Sequence, residues 1–74
     1  MTREQKLFVW GVQKHLRNPV RTASLIGGIM GMPLDAVLVE RVFQEVEAQE
    51  SESAKRVSQN VVLAAMPKWL SSLT

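Results

Sequence analysis

Residues 19–46 read PVRTASLIGGIMGMPLDAVLVERVFQEV, and the fold turns on how this stretch is parsed. Two features divide it. Pro19 follows Asn18, a good cap for the free amides of a helix start, and proline fits the first helical position. Gly31-Met32-Pro33 then breaks the pattern, because glycine takes the left-handed conformation that ends a helix and proline cannot continue one. Two helices joined by a short turn result, one from Pro19 to Met30 and one from Pro33 to near Gln49. Val20, Leu25, Ile26, Ile29 and Met30 are the apolar members of the first. Leu38, Val39, Val42, Phe43 and Val46 recur at helical spacing in the second, with Glu40, Arg41, Gln44 and Glu47 opposite.

Ala23, Gly27 and Gly31 are spaced i, i+4, i+8 and share one helix face. Glycine inside a helix costs about 1 kcal/mol relative to alanine, so the row predicts a close crossing, within the chain or between two chains. A membrane dimer face of the G-x-x-x-G kind needs about 20 apolar residues, and the run from Leu25 to Leu34 is too short.

Working outward, Thr2 and Gln5 fit a capping box, and a helix is expected from Arg3 to Arg17 with Phe8, Val9, Val12 and Leu16 turned inward. Its other face carries Trp10 among Arg3, Lys6, Lys14 and Arg17, with Leu7 beside them. In this pattern cations supply charge and the indole supplies area, which suits phosphate or an acidic protein. A solvated face whose Lys and Arg stems lie over the ring has the same spacing. Beyond Gln49 a break is preferred to one continuous helix from Pro33 to Met66, because Glu50 interrupts the apolar seam. Ser51 or Ser53 then caps a helix running to Met66 that buries Val57, Val61 and Ala65. Pro67 interrupts it or starts a last turn, whose Trp69 and Leu70 are expected to dock on the bundle or on a partner. The expected architecture is all-α: one domain over residues 1–74, a small bundle of four helices, or five with a separate last turn.

The chain has 74 residues, 46% hydrophobic and 22% charged, which is ordinary for a folded domain and unlike a disordered one. At this size stability is marginal, and self-association is a common remedy. The net charge of +2 hides a segregation. Residues 1–22 carry five cations against one carboxylate, residues 23–53 six carboxylates against one cation, and residues 54–74 three cations with no carboxylate. Such poles pair within the chain or between chains.

There is no cysteine, no tyrosine and one histidine, His15, so no multi-histidine or thiolate metal spacing occurs. No nucleophile is set beside a base, and Gly27-Gly28 does not follow a strand as a nucleotide loop would. Neither a cofactor, a metal nor an enzymatic activity is expected. Without cysteines or a secretory leader, the chain is read as cytoplasmic and not membrane-bound.

The segment Thr22 to Val42 resembles a helix-turn-helix, with Gly27, Gly31 and Val37 at that motif's offsets. The resemblance implies a DNA-binding regulator, with Arg3, Lys6, Lys14, Arg17 and Arg21 on phosphates. The second helix departs from it by opening with Leu34, Asp35 and Glu40 rather than basic residues. The leading expectation is therefore a protein-binding module: a homodimeric regulator, inhibitor or adaptor. Its contact surfaces are Arg3, Lys6, Leu7, Trp10, Lys14 and Arg17 on one side, and Leu34, Val37 and Val39 on another. DNA binding is the alternative.

Overall fold

Residues 1–73 are described by a computed structural model, with side chains through residue 68. The described residues form four helices: α1 (Arg3–Leu16), α2 (Pro19–Met30), α3 (Ala36–Gln49) and α4 (Glu52–Leu73). No helix among the described residues is long and apolar enough to cross a membrane.

The helix ends follow the capping residues. Thr2 accepts from the Gln5 amide while the Gln5 side chain accepts from the Thr2 amide, closing the capping box. The Asn18 side chain accepts from Val20 and Arg21 at the head of α2, with Pro19 in the first turn. Gly31 closes α2 at φ +66°. Ser51 Oγ accepts from the Ala54 amide at 3.2 Å, so the break expected between the last two helices is present. Three boundaries differ from expectation. α1 ends at Leu16 rather than Arg17, because Arg17 takes the left-handed conformation that caps it. α3 begins at Ala36 rather than Pro33, because the Asp35 carboxylate caps it by accepting from Leu38 N at 2.8 Å. α4 does not stop at Met66 but runs through Pro67. The missing amide of Pro67 removes one helical bond, and Pro67 is exposed, so that loss falls on the solvent side.

α1 is the hub, packing against α2, α3 and α4, while α2 also packs against α3. α1 and α3 run antiparallel, since Arg3 meets Glu50 and Trp10 meets Phe43. α1 and α4 run parallel, since Ser58 Oγ donates to the Leu7 carbonyl at 2.7 Å and Gly11 faces Val62. The core joins Val9, Trp10 and Val12 of α1 to Ala23, Leu25 and Ile26 of α2, Val39, Val42 and Val46 of α3, and Val62 and Met66 of α4.

Three expectations about packing are corrected. Val57 and Val61 do not turn inward; they are 63% and 57% exposed, and Val62 and Met66 take the core positions while Ala65 is half-buried. The contact with Gly11 sets this rotation: a Cβ there would lie 2.8 Å from Val62 Cγ2 and 3.1 Å from Ser58 Oγ, so the glycine lets α4 come close to α1. Within the chain, the glycine row of α2 makes no such crossing. Ala23 is buried, but a Cβ on Gly27 would meet the Met32 carbonyl of the following turn at 3.2 Å, and Gly31 faces open space. Finally, Val39 lies wholly in the core, so it offers no surface.

Candidate functional site

The cationic face of α1 is divided in two. At its N-terminal end the guanidinium of Arg3 grips Glu50 through two nitrogens, at 2.8 and 3.0 Å, and Lys6 meets Glu45 at 2.9 Å. Both pairs tie α1 to the C-terminal end of α3, so the acidic stretch is largely turned on the chain's own cations.

Trp10, expected at the surface, is only 2% exposed. Its indole stacks on Phe43 with centroids 6.2 Å apart, and Nε1 donates to Glu47 at 2.8 Å. Lys14 and Lys55 hold their ammonium groups 5.9 and 6.0 Å from the ring centroid, within cation–π range. Lys55 is itself buried beside the ring and pairs with Glu52 at 3.0 Å and Glu47 at 3.7 Å. The Trp10 hydrogen bond, helped by Lys55 and Lys14, holds the Glu47 carboxyl below the usual carboxylate range. The hydrogen bond to Glu52 leads in raising the Lys55 ammonium above the usual lysine value. The indole is thus a joint between α1, α3 and α4.

The C-terminal half of the same face is open. Lys14 and His15 of α1 and Arg17, which caps it, border a groove of about 360 Å³ lined also by Gly11, with Gln59 and Leu63 of α4 opposite. A second hollow of about 260 Å³ continues it along α4, sharing Lys14 and Gln59 and adding Trp10, Arg56, Lys55 and the carboxylates of Glu47 and Glu52. Among the described residues no carboxylate pairs with Lys14, Arg17 or Arg56. Leu63 is 51% exposed on the rim. Arg17 is the one described non-glycine residue at positive φ, +54°. Nothing on the 360 Å³ lining pairs His15 with a hydroxyl, thiol or carboxylate. Among the described residues no cluster of three or more His, Asp or Glu could hold a metal ion.

The remaining expected contact residues scatter. Leu7 is half-buried, and Leu34 is half-buried against the core. Val37 is 65% exposed on α3, away from the groove lining. Within the helix-turn-helix-like centre, Gly27 and Gly31 hold their positions in the first helix and the turn. Val37, at the third offset, points outward, and Val39 and Val42 fill the core instead. The Trp69 and Leu70 expectations fall on side chains outside the described residues. Sequence reasoning missed Gly11, Arg56, Gln59 and Leu63. Gly11 carried a legible signal, a glycine in the middle of an amphipathic helix; the others depended on how α4 is rotated.

No protein family, curated protein or solved structure matches the chain.

Proposed function

We propose that this chain is a non-catalytic helical module that binds another protein through the face shared by α1 and α4, acting as a regulator, inhibitor or adaptor. One observation carries the reading. Arg3, Lys6 and Lys55 are neutralised within the chain, whereas Lys14, Arg17 and Arg56 surround a groove with no carboxylate paired to them and an apolar rim at Leu63. Interfaces favour such a mixture of arginine and apolar area.

A photo-crosslinking residue in place of Leu63, in the host cell, tests it. Covalent adducts with a second polypeptide are expected at this position and not at Gln44 on the exposed side of α3. Adducts at neither position, or with nucleic acid alone, overturn the reading.

Self-association is assigned to the other side of α4. There Ala54, Val57, Val61 and Ala64 follow a 3-4-3 spacing, the seam of a coiled coil, with Val57 and Val61 exposed. Light scattering should give twice the 8.3 kDa chain mass at high concentration; one chain mass throughout removes the dimer. DNA binding remains second, because α3 opens with Asp35, Ala36 and Val37 and exposes Glu40 before Arg41.

A further inference from the structure

We infer that the α1–α4 groove receives an acidic amphipathic helix, whose carboxylates meet Lys14, Arg17 and Arg56 and whose apolar face rests on Leu63. The inference builds on the protein-binding reading above and names the partner's chemistry.

Charge selects the sign of the partner. Four carboxylates, Glu45, Glu47, Glu50 and Glu52, are consumed by Arg3, Lys6 and Lys55. Three further cations, Lys14, Arg17 and Arg56, gather where α1 ends and α4 passes it, while Arg21 and Arg41 lie off the groove lining. A second copy presents the same cations at the same place, so two grooves repel rather than pair.

Arg17 adds an independent mark. At φ +54° it occupies a helix-end conformation that glycine adopts without strain, and a residue with a Cβ is held there at a cost. Glycine would leave the groove without this cation, and Arg17 lines it.

Shape selects a helix. The described backbone offers no sheet edge on which an extended peptide could add a strand. The lining spans Trp10 to Arg17 on α1 and Glu52 to Leu63 on α4. At 1.5 Å per residue this is a trough of about 10–16 Å, two to three turns of a helix lying alongside. Gly11 lets α4 sit close against α1 along this trough. A nucleic-acid backbone suits the trough less well. Glu47 and Glu52 line the hollow beside Arg56 and would face a continuous row of phosphates, whereas carboxylates on a helix come only every third or fourth residue.

The test is fluorescence anisotropy with the full chain and a labelled synthetic helix of about 16 residues of Glu, Leu and Ala, carrying Glu and Leu on one face. A counterpart with Lys for Glu and a short DNA duplex are the other probes. Saturable binding of the acidic helix is expected. Arg17→Glu with Arg56→Glu should weaken it about tenfold or more, and Leu63→Asp should weaken it as well. Arg17→Lys with Arg56→Lys should retain most of it, and Arg41→Glu on α3 should leave it unchanged. Circular dichroism of each variant separates lost binding from lost folding. No binding at about 1 mM overturns the inference. So does equal affinity for the basic helix, an equal loss with Arg41→Glu, or tighter binding of the duplex that ignores Leu63→Asp. If the acidic helix fails while the residue-63 crosslink still captures a protein, this inference falls and the protein-binding reading stands.

Discussion

Single residues show how far local chemistry decides this molecule. Gly11 and Gly28 are both helical glycines, and helix propensity alone predicts that alanine stabilises either by about 1 kcal/mol. Packing separates them. At Gly28 a Cβ meets nothing within 4 Å, so Gly28→Ala should gain about 0.5–1 kcal/mol in denaturant unfolding. At Gly11 the Cβ would press on Val62, a stiff β-branched side chain, and on Ser58, whose hydroxyl is held by the Leu7 carbonyl. Overpacking costs about 1–3 kcal/mol, which outweighs the propensity gain, so Gly11→Ala should be the destabilising member of the pair. Arg17→Gly relieves a left-handed residue and should raise stability by about 0.5–1 kcal/mol while weakening binding in the groove. A loss of stability in Arg17→Gly would mean that its side chain is held by the fold rather than by function.

At the scale of the element, the ends were legible and the rotation of α4 was not. Thr2, Asn18, Gly31 and Ser51 announce their boundaries because a cap acts on amides two or three residues away. Pro33 misled because Asp35, two residues on, is the better cap. α4 has apolar residues on two faces: Val57, Val61 and Ala64 on one, Val62 and Met66 on the other. Periodicity cannot choose between them; the contact with Gly11 does. Val62→Ala should therefore cost about 2 kcal/mol, while Val61→Ala stays within about 0.5 kcal/mol, as read from chemical denaturation. The joint at Trp10 also makes the packing of α1, α3 and α4 sensitive to acid. The folded-state pKa of Glu47 is depressed, so its contribution is present above the unfolded value of about 4.3 and is lost as pH falls through the lower folded value. Glu47→Gln should reduce the drop in Tm between pH 7 and pH 3. The Lys55 shift has the opposite sign: its contribution holds below about pH 10.4 and is lost as pH rises through the higher folded value.

For the molecule as a whole, the all-α class followed from three helix breaks, the caps and the apolar periods, and of the four or five helices expected four are formed. The candidate site was half legible. Lys14 and Arg17 belonged to a cationic stripe visible in the sequence, but that stripe gave no sign that Arg3 and Lys6 would be spent on Glu50 and Glu45, more than thirty residues away. Nor did it show that Trp10 would be covered, because α3 and α4 bury it from both sides. Long-range pairing of charge removes surface that sequence spacing alone counts as available.

The parallel seating of the first helix against the last has a consequence for biosynthesis. Val62 follows Gly11 by 51 residues, so one side of the hub helix stays uncovered until α4 too has left the ribosome. A nascent chain arrested shortly before Val62 emerges should therefore leave Trp10 open to quenchers and the α1 surface available to a chaperone.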